Sequence, residues 1–345
     1  METRPRPKMS DVARIAGVSV ATVSKVVNGR YGVSKETFET VQRVIDELGY
    51  VGNLSATSLR SAKTNVLGIL VASFEPFAAE LLKGAASAAG GSGFELLAHA
   101  GNDTHGWERR SLARMGGTLI DGAVVVTPTV IEASNVIPIV AVDPHWGPTL
   151  VPTVDSDGFG GGRAAARYLL SLGHTRIAHM AGREDLDSAR ERERGYRAAM
   201  REAGVAVDNA LVRDARYDPD IALEVARELL TMAERPTAIF AANDITALSA
   251  MRVAAELGLS VPDDVSIVGF DDVPEATLAQ PQLTTVRQPL QAMGAEAMRM
   301  LLDILAGVDR ETHVRMDTEL IVRDSCGPVP DVVNPATEPS PTTTS

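Results

Sequence analysis

Six side chains between residues 20 and 28 have the chemistry to read a nucleic acid. Val20, Ala21, Thr22, Ser24, Lys25 and Asn28 are short or polar, so a helix carrying them can lie deep in a DNA major groove. Thr22, Ser24, Lys25 and Asn28 can donate to phosphates, while Val20 and Ala21 can touch base edges and thymine methyls. Patterns that would mark an enzyme are missing. Gly160-Gly161-Gly162 lacks the Gly-Lys-Ser/Thr of a phosphate loop, and no nucleophile elbow occurs. The six histidines show no metal-ligand spacing, and Asp155 and Asp157 are strand-proximal acids without a partner. Cys326 is the only cysteine, which excludes an intrachain disulfide and a Cys-rich zinc site. No catalytic residue, metal or cofactor is expected.

The elements that position the groove-reading face are short. Apolar spacing predicts a helix over Asp11–Ala16, with Val12 and Ile15 or Ala16 inward, and a break at Gly17-Val18. Ser19 is the expected N-cap of a second helix, Val20–Val27, and Ser34 of a third with Val41, Val44, Ile45 and Leu48 as its apolar stripe. Two helices joined by a Gly-containing turn and braced by a third describe a helix-turn-helix. Spacing alone fits a protein-binding three-helix bundle equally well. The polar outer face of the second helix favours DNA.

The charge supports that choice once it is divided. The 345 residues carry a formal net charge of −12, which taken whole argues against a phosphate-rich partner. Residues 1–64 hold ten Lys/Arg against six Asp/Glu, net +4, leaving 23 against 39, net −16, on the rest. A small basic head precedes a large acidic body. The N-terminal stretch contains no apolar run that could serve as a signal peptide, and the runs around Val66–Phe74 and Val136–Val142 are far below the roughly 20 residues of a membrane span. A soluble cytoplasmic protein is expected.

From residue 65 the rhythm becomes alternating. Strands are predicted at Val66–Val71, Glu95–Ala98, Gly122–Val126, Ile137–Val142, Ile177–Met180, Ala238–Ala241 and Ser266–Phe270, and helices at Ala78–Ala89, Gly161–Leu172, Arg190–Ala203 and Ile245–Leu257. Repeated βα units imply parallel sheets covered by helices. About 260 residues exceed one comfortable sheet, so two lobes with a cleft between them are expected, with ligands at the carboxyl ends of the strands.

The run Asp11-Val12-Ala13-Arg14-Ile15-Ala16-Gly17-Val18-Ser19-Val20-Ala21-Thr22-Val23-Ser24-Lys25-Val26-Val27-Asn28-Gly29 resembles the N-terminal signature of the lactose-repressor (LacI/GalR) family. The likeness continues through Val33-Ser34-Lys35-Glu36-Thr37 and Leu48-Gly49-Tyr50-Val51-Gly52-Asn53. In the body, Leu172-Gly173-His174-Thr175-Arg176-Ile177-Ala178, Arg194-Gly195-Tyr196, Ala241-Ala242-Asn243-Asp244, Val268-Gly269-Phe270-Asp271-Asp272 and Leu283-Thr284-Thr285-Val286 match as well. The resemblance covers roughly residues 9–325. It implies an all-α head joined to an α/β two-lobed body like that of periplasmic sugar-binding proteins, with three crossovers.

The domains expected on that basis are an arm (1–7), a DNA-binding domain (8–53), a hinge helix or linker (54–64), an effector-binding and dimerisation domain (65–327) and a disordered Pro/Thr/Ser-rich tail (328–345). The lobes are expected at approximately 65–158 with 288–318, and 159–287 with 319–327. The resemblance implies a homodimer on double-stranded operator DNA. Its DNA-contacting set is Ser19, Val20, Ala21, Thr22, Ser24, Lys25, Asn28, Asn53, Ala56 and Leu59, the last wedging into the minor groove. It also implies a cleft that holds a small molecule. Arg192 matches the family arginine that grips a sugar hydroxyl pair or a carboxylate, and Asn243 and Asp271 match cleft residues that bind hydroxyls. Asp143 ends another strand; Tyr217, Trp146 and Phe77 could stack on a pyranose face, or be core.

Several positions depart from the pattern. Lys8 stands where a threonine usually opens the first helix, so Ser10 is the candidate cap, and Thr57 follows Ala56 where an arginine is usual. Glu75-Pro76-Phe77-Ala78 replaces the common Asn-Pro-Phe-Phe, and Gly158 follows Asp157 where an asparagine is common. An acid at position 75 and smaller side chains favour a larger neutral ligand, such as a saccharide. The leading reading is therefore a repressor of carbohydrate-utilisation genes controlled by a neutral sugar. The alternatives are a sugar-binding protein without DNA regulation and, further off, a carbohydrate-active enzyme.

Overall fold

The computed structural model describes residues 7–27, 32–48, 50, 63–101, 106–129, 137–145 and 151–329. Asn28, Asn53, Ala56, Leu59 and Trp146 lie outside them, as do Thr57 and most of the hinge. The chain forms two compact units, a head and a body.

In the head, α1 (Met9–Ala16), α2 (Val20–Val27) and α3 (Lys35–Leu48) enclose Val12, Ala13, Val23, Val26, Val41, Val44 and Tyr50. Gly17 takes φ +67°, the left-handed value that ends α1 sharply without a Cβ clash. Of the two inward candidates in α1, Ala16 is half-buried and Ile15 is 47% exposed. The expected cap from Ser10 is not formed: Ser10 lies inside the first turn, and the Asp11 carboxylate accepts from the Lys8 backbone N–H at 2.8 Å. Ser19 and Ser34 cap as predicted, accepting from Thr22 N at 3.1 Å and Thr37 N at 3.2 Å.

The body begins with β1 (Val66–Val71), α4 (Pro76–Ala89), β2 (Glu95–Ala100), α5 (Trp107–Met115), β3 (Gly122–Val126), β4 (Ile139–Val142) and β5 (Thr153–Ser156). It continues with α6 (Gly158–Ser171), β6 (Ile177–Ala181), α7 (Asp187–Glu202), β7 (Val212–Asp214), α8 (Pro219–Leu230), β8 (Ala238–Ala241) and α9 (Asp244–Glu256). The last elements are β9 (Ser266–Asp271), α10 (Pro274–Leu278), β10 (Thr284–Arg287), α11 (Leu290–Ala306), β11 (His313–Met316) and β12 (Glu319–Ile321).

Two six-stranded sheets result, ordered β11-β5-β4-β3-β1-β2 and β12-β10-β9-β8-β6-β7. The first is parallel throughout. In the second, β12 runs antiparallel to β10, a departure from the all-parallel expectation. The chain passes between lobes after β5, after β10 and after β11, which gives the three crossovers. The apolar runs of β1, β3, β4, β8 and β9 are buried almost completely, as strands covered on both faces must be. Of the segment expected as a tail, residues 328 and 329 are described, with the Val329 N–H bonded to the Leu172 carbonyl at 3.0 Å, and 330–345 lie outside the described residues.

α6 and α7 approach closely enough to exclude side chains at their crossing. A Cβ on Gly162 would overlap the Arg192 carbonyl oxygen, and one on Gly195 the Phe159 carbonyl oxygen. Gly158 belongs to the same seam. Its Cβ would meet Glu191 Cβ at 3.3 Å and Ser188 O at 3.4 Å, so its smallness fits helix packing and leaves no extra room for a ligand. Because that seam sets the height of α7, Gly195→Ala should lower the melting temperature by several degrees, an overpacking cost of about 1–3 kcal/mol. Thermal unfolding of the variant against wild type checks this; an unchanged midpoint would show that the two helices separate freely.

Candidate functional site

The carboxyl ends of parallel strands from both lobes face one cleft, and the residues just past them line a cavity of about 230 Å³. Ser73, Glu75 and Phe77 follow β1, Thr127 and Thr129 follow β3, and Asp143 and His145 follow β4. From the second lobe come Arg183 after β6, Arg216 and Tyr217 after β7, Asn243 after β8, Asp271 ending β9, and Ser188 and Arg192 on α7. Six of the seven expected effector residues, Phe77, Asp143, Arg192, Tyr217, Asn243 and Asp271, therefore share one wall system.

Arg192 forms its floor. The side chain is 3% exposed, its guanidinium lies 3.9 Å from the Phe270 ring centroid, and Nη1 donates to the Ala242 carbonyl at 2.5 Å. Asp271 Oδ1 stands 3.4 Å from the same nitrogen, and Asp143 faces the cation from the other lobe. A buried planar cation between two acids, with Nε left without a partner, is suited to a pair of oxygens from a ligand. Asp271 is also oriented by Gln288 Nε2, which donates at 2.6 Å. Asn243 serves the fold as well as the cavity: its Oδ1 caps α9 by accepting from Thr246 N at 2.9 Å.

The cleft is backed by conformations that side chains resist. Among the described residues, seven non-glycine positions have positive φ, and Thr127, Asp143, Arg216, Tyr217 and Asp271 among them line the cavity. Such backbone costs of order 1–3 kcal/mol per residue and persists only where the surroundings enforce it, as at binding sites. Tyr217, at φ +60°, lies against Gly182 with its hydroxyl buried beside Ser188, so the phenol head is turned inward and only part of the ring meets the cavity.

Other acids prove structural. Asp272 takes Arg287 at 2.7 Å and Arg323 at 2.5 Å, Asp155 holds Arg315 through both oxygens, and Asp157 caps α6 through Gly160 N. Glu75 lines the cavity and accepts from the Ser73 hydroxyl at 2.8 Å. Trp107 and His145 were not anticipated from the sequence. Trp107 closes the first lobe's wall with 2% exposure, and His145 reaches it two residues past Asp143. For His145 a signal existed, its place just beyond a strand end. Trp107 opens a helix far from any strand end, and nothing local marked it.

Burial sets the protonation of the acids. It raises the Asp143 carboxyl, with Arg192 opposing, and pushes Asp271 up to about 7 against the pull of Arg192 and Gln288. Asp271 thus keeps its proton in the fold at pH values where an unfolded aspartate, near 3.9, has lost it. Its contribution favours the fold at acid pH and is lost as pH rises from about 4 through about 7. The melting-temperature difference between Asp271→Asn and wild type should therefore move in the variant's favour between pH 5 and 8. A difference independent of pH would show that Asp271 ionises normally.

In the head, Val20 (49% exposed), Ser19, Ala21 and Lys25 lie on the open face of α2, opposite the buried Val23 and Val26. Thr22 and Ser24 are half-buried at its margin, and the Thr22 hydroxyl is 2.9 Å from the Ser19 hydroxyl. The face is small and polar enough for close approach to base edges.

Residues 8–53 fit the profile of "Bacterial regulatory proteins, lacI family", and residues 166–326 that of a "Periplasmic binding protein-like domain". The HTH-type transcriptional regulator CelR of Thermobifida fusca is 36% identical over 340 residues, 94% of this chain and 100% of its own length. The HTH-type transcriptional repressor PurR of Photobacterium profundum is 32% identical over 92% of this chain and 98% of its own. Among solved structures, the CelR–cellobiose complex superposes with a TM-score of 0.70 at 35% identity, covering 93% of this chain and 100% of that one. The lac repressor dimer bound to operator and the anti-inducer ONPF gives 0.79 at 26% identity, covering 94% and 100%. The chain belongs to the LacI family of bacterial regulatory proteins: it is a DNA-binding transcriptional regulator whose two-lobed body answers to a small-molecule effector.

Proposed function

We propose that this regulator is a cytoplasmic, dimeric repressor of carbohydrate-utilisation genes whose operator affinity is switched by a neutral saccharide, with cellobiose the first candidate. The observation that carries the reading is the floor of the cleft. Arg192 stands between Asp271 and Asp143, the other lining cations Arg183 and Arg216 are paired with Asp185 and Asp214, and hydroxyl-binding side chains and the rings of Phe77, Trp107 and Tyr217 complete the wall. A ligand of alternating apolar faces and hydroxyl edges suits that wall, and an additional anion does not. The cellobiose complex of CelR, a 35% identical relative, supports the same class.

The mechanism follows from where the groups sit. Asp143 comes from the first lobe and Arg192, Asn243 and Asp271 from the second, so a saccharide bridging them favours one lobe arrangement over another. Any effector that changes operator affinity by some factor must have its own affinity changed by operator DNA by that same factor. Two copies of the head are needed because one helix-turn-helix reads only a half-site. The saccharide is bound and released unchanged in this scheme. Asn28, Asn53, Ala56 and Leu59 complete the proposed DNA contacts with Ser19, Val20, Ala21, Thr22, Ser24 and Lys25, and Trp146 the proposed effector set.

Two measurements test these roles. Exchanging Val20 and Ala21 should change which sequence is bound, whereas Lys25→Ala should weaken all sequences alike and lower the slope of affinity against salt. Unaltered sequence preference in the exchanged variant would overturn the groove assignment. In calorimetric titration against a saccharide panel, Arg192→Lys should lose cellobiose affinity by about 10- to 100-fold, since a point charge cannot replace the planar fork. Tight binding of a purine or a sugar phosphate, with no response to neutral saccharides, would defeat the saccharide reading.

A further inference from the structure

His145 joins the two lobes at the rim of the cleft. It follows β4 of the first lobe, and its ring is 3% exposed, yet every strong partner but one belongs to the second lobe. Nδ1 lies 3.1 Å from Asp185 Oδ2, the Asp187 N–H donates to its carbonyl at 2.9 Å, and Arg190 Nη2 reaches the same oxygen at 3.4 Å. Its own N–H is held within the first lobe by the Pro128 carbonyl at 3.2 Å. Asp185 is presented rigidly, gripped by Arg183 through both oxygens at 3.0 and 2.8 Å. None of these contacts involves Arg192, Asn243 or Asp271, so the junction is separate from the ligand floor although His145 touches the cavity.

We propose that the His145–Asp185 pair is a clasp across the cleft rim that holds the lobes together and retains the bound effector. The clasp rests on the reading of the cleft as the effector site. The neutral ring, with its proton on Nδ1, donates to Asp185 and keeps the lobes together. The charged groups facing it are Asp185 and Arg183 from the segment after β6, Asp187 and Arg190 at the start of α7, and Glu108 from α5. Burial outweighs the attraction of Asp185 and Glu108, and Arg183 adds to it, so the closed-state imidazole titrates below its ordinary 6.5.

The test uses the full chain without effector first. Nuclear magnetic resonance titration of the His145 imidazole should give a midpoint below 6.5 in wild type, and Asp185→Ala should move it up toward 6.5 as the lobes part. The Asp187 amide should lose exchange protection in the same variant. If the midpoint instead drops further or stays, or if wild type already titrates at 6.5, the lobes do not depend on this pair and the proposal is overturned. With cellobiose as probe, stopped-flow measurement should show release from Asp185→Ala accelerated by about tenfold with little change in association. Wild-type release rates in Asp185→Ala would likewise overturn the clasp. Failure of wild type to bind any neutral saccharide would instead overturn the saccharide reading, leaving the clasp to be decided by the imidazole titration and the Asp187 amide.

Discussion

The body is organised around a cation almost wholly withdrawn from water. A guanidinium buried as deeply as that of Arg192 is costly unless carboxylates and dipoles surround it. The Ala242 carbonyl follows β8, the Phe270 face and Asp271 end β9, and Asp143 follows β4 of the other lobe; together they supply that environment. To place these groups around one point, β8 and β9 must be parallel and adjacent, the first lobe must present the end of β4 to them, and α7 must be held at a fixed height. The sheet order and the glycine seam between α6 and α7 meet those demands.

That arrangement has a cost visible in the acids and in the backbone. Asp143 and Asp271 are held partly against their ionisation, and the cavity wall concentrates positive-φ residues. Stability is given up locally so that the hydrogen-bonding groups are already in place before a ligand arrives. A site with this character responds to occupation, because a ligand that supplies the missing partners relieves part of the cost only when both lobes contribute.

The division of charge serves the other half of the function. A head at +4 and a body at −16 confine attraction for phosphates to the helix-turn-helix, where α2 has little bulk on its open face. Phosphate contacts supply affinity in such a head, and the role proposed for Val20 and Ala21 is to discriminate between sequences.

Much of this was legible in the residues alone, where the interactions involved are local. The bounds of α2 follow from a serine cap and a three-to-four-residue apolar spacing, and β1, β3 and β8 from unbroken apolar runs; these depend on neighbours in the chain. Strands β7, β11 and β12 escaped notice, as did β5 and β10. The first three lie at sheet edges and are only half-buried, and the other two are interior but only four residues long and mostly polar (TVDS and TTVR), so no apolar run announces them. The same limit applies to the site. The family resemblance nominated Arg192 and, at strand ends, Asn243 and Asp271, but only the folded chain could turn the Tyr217 hydroxyl inward, seat Trp107 in the wall, or bring His145 to Asp185, 40 positions away. Local periodicity and capping are written in neighbouring residues. Cross-lobe contacts depend on how two sheets and three crossovers close on each other, which no stretch of sequence contains by itself.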